Sequence, residues 1–229
     1  MKRFLFVFLV IPLLSFGQKT QWKIDKVGIS GGYTNSFLQW NPSAPYTGHV
    51  VKGSGLNTSL LIEEYIVKWV SVRLNAGYQS IGLQDGANTK KDNWKYKAQQ
   101  FSTELSIKGY LSDHHHRPYL IGGMRGSYPF HQKNELNFPS NIDIGNVYAS
   151  RNNLISDKYT CYLLVGAGFE FNNRWFVEAL FSRNLHRVTT ASSNNADGYL
   201  DDISLRIGLN ILKPSVTRAK KLGIMPMFE

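Results

Sequence analysis

The sequence predicts an all-β chain, an eight-stranded antiparallel up-and-down transmembrane β-barrel. Three observations carry that prediction. Apolar residues recur at every second position over long stretches, while helical periodicity is nearly absent. The polar connections between these stretches alternate long and short, as in a barrel with short turns at one end and long loops at the other. Aromatic residues gather at both ends of the stretches, where amphipathic rings meet a membrane–water interface.

The clearest stretch is 158–184. Cys161, Leu163, Val165, Ala167, Phe169 and Phe171 share one face, and Thr160, Tyr162, Leu164, Gly166, Gly168 and Glu170 take the other. After Asn172, Asn173 and Arg174 the alternation resumes, with Val177, Ala179 and Phe181 against Glu178, Leu180, Ser182 and Asn184. Opposed residues in a hairpin point to the same face, so phase decides the turn. A two-residue loop would pair Phe169 with Phe176 and push Glu178 onto the apolar face. A three-residue loop over 172–174 pairs Phe171 with Trp175 and Phe169 with Val177. The longer loop is therefore expected, with Asn173 in the left-handed region.

The other strands follow the same rule. Strand one is read over 26–35, with Val27, Ile29, Gly31 and Tyr33 on the apolar face. Strand two covers 55–66 (Leu56, Thr58, Leu60, Ile62), and strand three starts at Val70 (Val72, Leu74, Ala76, Tyr78). Strand four covers 94–111, with Phe101, Thr103, Leu105 and Ile107 outward. Strand five covers 118–128, with Leu120, Gly122, Met124 and Tyr128 outward and Tyr119, Ile121, Arg125 and Ser127 inward. The hairpin supplies strands six and seven, and strand eight covers 199–212 (Ile203, Leu205, Ile207, Leu209, Ile211). Segments 36–54, 83–93, 129–157 and 187–198 are the long connections; 67–69, 112–117 and 172–174 are the short ones.

Strand ends give two aromatic belts. Trp69, Tyr110 and Trp175, with Tyr119 and Phe171, fall at the short-turn end. Tyr33, Tyr78, Trp94, Tyr96, Tyr128 and Tyr159, with Tyr199, fall at the long-loop end. If the apolar face meets lipid, the alternate face fills a lumen that eight strands leave just wide enough for side chains. That face carries Lys26, Glu63, Arg73, Glu104, Lys108, Arg125, Glu170, Glu178 and Arg206. Buried charges are costly unless paired, so their near-balance predicts an interlocked salt-bridge network closing the lumen. Arg73, Glu104, Arg125, Glu178 and Arg206 are expected near mid-barrel, with Glu170 and Glu178 as partners for Arg73, Arg125 and Arg206. Inward Gly28, Gly32, Gly77, Gly166, Gly168 and Gly208 leave room for the long side chains.

The chain has 229 residues, a formal net charge of +10 and one cysteine. Lys2 and Arg3 precede an apolar run over 4–14 and small residues before Gln18, the pattern of a cleaved signal peptide. The expected organisation is a signal peptide at 1–17, the barrel at 18–212 and a basic periplasmic tail at 213–229. Loss of Lys2 and Arg3 leaves a net charge of about +8. No cysteine lies near the cleavage point, which argues against lipid attachment there. The lone Cys161 argues against an intramolecular disulfide. An exported chain has no call for nucleic acid to explain its basic balance, and Gly-Ala-Gly at 166–168 opens no helix, so it is not a nucleotide loop.

The strand pattern FSTELSIKGYL at 101–111, a short turn, then RPYLIGGMRGSY at 117–128 resembles the PorT-like outer-membrane β-barrel domains of Bacteroidetes. Phe-Gly-Gln at 16–18 agrees with signal peptides of that group. The resemblance implies the cell outer membrane and, for the PorT member itself, a part in type IX protein secretion. The expected partners of such a barrel are outer-membrane lipid and lipopolysaccharide and the barrel assembly machinery; secretion-system proteins join them through the resemblance. One departure is the end of strand eight at Leu212, with Phe228 only penultimate in the chain. Basic residues at the outer rim (Lys90, Lys91, Lys95, Lys97, Arg183, Arg187) are placed to meet anionic headgroups.

Chemistry leaves few candidates. His114, His115 and His116 diverge along a turn, whereas a structural zinc site needs four converging ligands, so no metal and no cofactor are expected. Lipid A 3-O-deacylases, also small barrels, carry a His and a Ser close together at the rim. Here His186 is followed by Thr189, Ser192, Ser193 and Asp197, and the His-x-Ser spacing is missing. The expectation is a non-catalytic structural or adaptor barrel; the alternatives are a lipid A-modifying enzyme and a narrow channel.

Overall fold

The computed structural model describes residues 24–40, 51–84, 93–112, 116–137, 159–186, 188–189 and 197–212. The strands are β1 (Lys26–Trp40), β2 (Val51–Val67), β3 (Val70–Gln84), β4 (Asn93–Tyr110), β5 (His116–Asn137), β6 (Thr160–Phe171), β7 (Trp175–Asn184), β8 (Val188–Thr189) and β9 (Asp197–Leu212). They form one antiparallel sheet in the order β1-β2-β3-β4-β5-β6-β7-β9-β8, closed by pairing of β1 with β9. The two residues of β8 pair with the same strand as β7 and prolong its line, so the wall has eight staves. The fold is a closed eight-stranded antiparallel β-barrel.

Side-chain alternation sets the two surfaces. Leu60 (64%), Ile207 (58%) and Leu74 (48%) stand exposed on the outside, whereas Glu178 (1%) and Glu170 (0%) are buried within. That arrangement inverts a water-soluble protein and matches a wall built for lipid. The hairpin joining β6 and β7 has the expected register, Phe171 opposite Trp175 and Phe169 opposite Val177. Both Asn172 (φ 53°) and Asn173 (φ 54°) occupy the left-handed region, not Asn173 alone. Two consecutive left-handed residues fit asparagine, which tolerates that region far better than branched side chains do.

Several strands are longer than the sequence indicated. β1 runs on to Trp40, β2 begins at Val51, β3 continues to Gln84 and β5 to Asn137. The extra length lies beyond the outer ring of Tyr33, Tyr78, Phe101 and Tyr128, and there the polarity of the faces reverses. Inward-pointing Leu38, Ile81, Leu83, Ala98 and Leu200 are buried. Outward-pointing Lys52, Lys97, Gln99 and Lys133 are exposed. The period of two is unbroken apart from local register shifts; what changes is which face is apolar. With water on the outside of the wall, the apolar residues belong inside.

The extension is uneven around the rim. Ser127 is the last β5 residue paired with β6, so beyond it β5 pairs only with β4 among the described residues. Pro129, which has no N–H, and a register shift opposite Gln99 and Gln100 fall at the start of this edge. Both are devices that discourage further strand pairing.

Candidate functional site: the charged lumen

Inward residues of all eight staves meet in a polar interior with three levels. At the turn end, Lys26 Nζ donates to both carboxylate oxygens of Glu170, at 2.7 and 2.8 Å. Lys108 lies 3.1 Å from Glu63 and 3.6 Å from Glu170. Arg117 donates to Glu170 at 2.6 Å, to the Tyr65 hydroxyl at 2.5 Å and to the Asn173 side-chain carbonyl. The Tyr110 hydroxyl donates to Glu63 at 2.6 Å, and Ser71 donates to the same carboxylate at 2.9 Å. Aromatic rings fill the space between charges: Lys108 sits 3.9 Å from the Tyr119 ring centroid and Arg117 4.2 Å from that of Tyr110. These cation–π contacts favour the ammonium and guanidinium where water is scarce.

At mid-barrel Arg73 grips Glu178 with both terminal nitrogens and reaches Glu104 at 3.4 Å. Arg206 donates to the other Glu104 oxygen at 2.8 Å, Asn75 donates to Glu104 at 2.8 Å, and the Tyr119 hydroxyl donates to Glu178 at 2.6 Å. Two cations and two anions balance there. Nearer the loops, Arg125 pairs with Asp202, which also accepts from Ser36 at 2.7 Å. The Arg125 guanidinium lies 4.3 Å from the Tyr162 ring centroid.

Glycine makes room for the rings. A Cβ on Gly168 would sit 2.5 Å from the Tyr119 ring, and one on Gly208 would run into the Phe176 ring. Phe176 in turn flanks Arg73 and Lys108, each at 5.9 Å.

The structure therefore brings Glu63, Lys108 and Glu170 together at the turn end, and Arg73, Glu104, Glu178 and Arg206 at mid-barrel. Arg125 stands apart from the mid-barrel group with Asp202. Glu170 meets Lys26, Lys108 and Arg117 rather than Arg73, Arg125 or Arg206. Arg117 and Asp202 were missed, although both were legible by parity: Arg117 is in phase with Tyr119 and Ile121, and Asp202 with Ser204 and Arg206.

The belts need one correction. Tyr110 is buried in the lumen (4% exposed), and so is Tyr119 (1%). Nearness to a turn does not decide which way a ring points; Tyr110 is in phase with Lys108 and Ser106, and both face inward. Tyr33, Trp69, Tyr78, Tyr128, Tyr159 and Trp175 are exposed on the outside. The outer rings form a partly continuous band, with Tyr78 and Phe130 centroids 6.2 Å apart and Tyr128 and Tyr159 5.2 Å apart. The side chains of Trp94 and Tyr96 lie outside the described residues.

At the rim, His186 is exposed just past β7, and its backbone N–H donates to the Asn184 side chain at 2.9 Å. Ser192 and Ser193 and the side chains of Thr189 and Asp197 lie outside the described residues, as do the signal peptide, the 213–229 tail, His114 and His115. Lys97 and Arg183 are exposed on the outer wall; Lys90, Lys91, Arg187 and the Lys95 side chain are outside the described residues. His116 stacks against Phe169, ring centroids 6.3 Å apart, and no cluster of three metal-ligating side chains occurs among the described residues.

No protein-family model matches the chain, and no curated protein matches it. Among solved structures it is similar in form to Neisserial surface protein A, at 12% identity and a TM-score of 0.46, covering 83% of this chain and 100% of that one. It is similar also to the outer membrane protein OprG from Pseudomonas aeruginosa (14% identity, TM-score 0.43, 83% and 97% covered). A third is Ail, the attachment invasion locus protein of Yersinia pestis (11%, 0.41, 82% and 100%). At these identities and scores no role of those proteins passes to this chain.

Proposed function

We propose that this chain is an integral outer-membrane β-barrel with a non-catalytic, structural or adaptor role, closed to solute flow by its own side chains. The observation that carries this reading is the pairing of two surfaces. An exposed apolar wall between Trp69 and Trp175 at one end and Tyr33, Tyr78 and Tyr128 at the other encloses a lumen of buried ion pairs. Arg73, Arg117 and Arg125 are among the largest fully buried side chains, and each has a carboxylate partner. A water-filled pore would leave such groups solvated. With the lumen filled, the parts left to meet a partner are the rim, the outer wall above the belt and the periplasmic face.

Heat-dependent gel mobility of the membrane fraction, with and without boiling, tests the barrel in its membrane. A soluble chain whose mobility ignores heating would overturn the reading. Planar-bilayer recording tests closure: steady single-channel conductance would replace the adaptor with a narrow channel. A change in lipid A mass that depended on the protein and vanished with His186→Ala would replace it with an enzyme.

The finer version of the role, an accessory of type IX protein secretion, is supported by the PorT-like strand pattern at 101–111 and 117–128. Its test is gene deletion followed by assay of type IX cargo in the medium; unchanged export removes it.

A further inference from the structure

We propose that the loop-side half of the lumen carries a blind spiral groove that binds neutral, hydroxyl-bearing molecules. The proposal rests on the closed-lumen reading and adds a ligand class to it. One inward row contains nothing larger than threonine across six staves. Ser30 on β1 lies opposite Ser59, Ser59 opposite Gly77, and Gly77 opposite Ser102. Ser102 then lies opposite Ser127, and Ser127 opposite Thr160 on β6. Staves tilt against the barrel axis, so a row of direct partners climbs as it turns. This one starts at Ser30, four residues past Lys26 at the turn end, and reaches Thr160, the first residue of β6 at the loop end.

Small side chains leave room along the row. The interior of an eight-stranded barrel is just wide enough for side chains to fill it, and the rungs on either side are filled. Asn75, Glu104 and Arg125 border the row toward the turns, and Asn57, Gln79 and Gln100 border it toward the loops, all of them buried. On the row itself Ser59, Gly77 and Ser102 keep partial exposure although their phase is inward. At the lower end the Ser30 and Ser59 hydroxyls bond each other at 2.7 Å. The groove is blind because Glu104, on its turn-side border, is held by Arg73 and Arg206 in the mid-barrel ion pairs.

Polar atoms around the groove call for a guest. Asn75 Oδ1, Gln79 Nε2, Ser127 Oγ, Ser182 Oγ and Asn184 Nδ2 have no hydrogen-bond partner among the described residues, and their side chains are buried. Ser127 is on the row, and Asn75 and Gln79 border it on β3. Asn184 lies beyond Tyr162 on the rung of Arg125, and Ser182 is directly opposite Asp202. The plug differs: there Ser71, Tyr110 and Tyr119 donate to carboxylates. Leaving buried polar groups unmatched is costly, and ordered water or a ligand ordinarily satisfies them. The guest is neutral because the charges bordering the groove are already matched, Glu104 by Arg73 and Arg206 and Arg125 by Asp202. It must accept from Gln79 and Asn184 and donate to Asn75, and a hydroxyl does both on one atom. Water and a small polyol share that chemistry.

The test uses the full mature chain folded in phosphatidylcholine nanodiscs. X-ray radiolysis labels side chains through hydroxyl radicals formed from adjacent water, so two equally buried tyrosines can be compared. Tyr162 borders the groove opposite Arg125 and Tyr119 stands in the plug, each 1% exposed. Tyr162 is expected to be labelled at least tenfold faster than Tyr119. Ser102→Val/Ser127→Val, which fills the row, should bring the two rates together. Equally slow labelling in wild type overturns the groove. So does fast labelling of Tyr162 that survives in the filled variant while its heat-dependent mobility is kept. Fast labelling of Tyr119 as well overturns the closed lumen and the groove with it, whereas slow labelling of both strikes the groove alone. The side-chain NH2 resonances of Gln79 and Asn184 then read the source of the hydroxyl. Threitol shifts them where a polyol is the guest, and water is the guest where they ignore it. A shift caused by sulfate overturns the neutral assignment.

Discussion

On β3, Arg73 points into the lumen and Leu74 out toward lipid; further along the same strand Leu83 points inward and Gly82 outward. The strand keeps its phase, yet the residue chemistry trades places at the level of Tyr78. Below that ring the outside must be apolar because lipid offers no hydrogen bonds, and charge survives only inside, in pairs. Above it the outside meets water and apolar side chains are gathered inside. The two parts of one wall therefore depend on different forces. The membrane band relies on ion pairs and hydrogen bonds within and on lipid without. The rim relies on apolar burial, and beyond Ser127 its β5 edge pairs only with β4 among the described residues, which makes it the weaker of the two.

The largest effect expected on this contrast comes from the turn end of the lumen. Glu170 accepts from Lys26 and Arg117 and lies close to Lys108. Glu170→Ala leaves those cations facing Glu63, and breaking one side of such a buried arrangement costs about 3–5 kcal/mol. Urea unfolding from phospholipid vesicles, followed by gel mobility, measures it. A loss below about 1 kcal/mol, the range of exposed ion pairs, would mean that the lumen is wet and the contrast false.

Next comes the rim. Leu38 is fully buried and directly opposite Leu200. Leu38→Ala should cost about 2–5 kcal/mol if it truly belongs to an apolar interior. Because the rim lacks lipid support, the loss should appear locally. Hydrogen exchange is expected to speed up in 36–40 and 197–202 while amides near Glu178 and Arg206 stay protected. Uniform acceleration along β1 and β9 would make the two regions a single cooperative unit.

This reversal also explains how far the sequence could be read. The hairpin over 158–184 has apolar residues on one fixed face from end to end, and its register came out residue for residue. The lumen charges followed from the same parity. The strand ends did not, because a search for apolar residues facing outward runs out where the outside becomes wet. Beyond Tyr33 and Tyr78, Leu38, Ile81 and Leu83 resemble stray aliphatics in polar loops, though each keeps the inward phase of its strand. Tyr110 is the opposite case: its place near a turn suggests the belt, whereas its phase with Ser106 and Lys108 turns the ring into the lumen. Which carboxylate meets which guanidinium was beyond parity, since it depends on stagger between staves that are distant in sequence. Glu170 is on β6 and its partners are on β1, β4 and β5.

The smallest and most discriminating expectation is one substitution made on both sides of the ring. Leu74→Arg puts a guanidinium on the outer wall in the membrane band, where cost at the midplane is about 2–4 kcal/mol. Gln99→Arg puts the same group on the same outer face above Phe101, where an exposed surface change stays within about 0.5 kcal/mol. Both variants keep the lumen intact, so their difference in urea midpoint, in vesicles and with the slope unchanged, reports only the medium outside the wall. In a detergent with a small, wet micelle the gap should narrow, because the charge at Leu74 then snorkels a shorter way to water. Equal costs for the two variants in vesicles would mean that the membrane boundary does not lie at the ring of Tyr78, Phe101 and Tyr128.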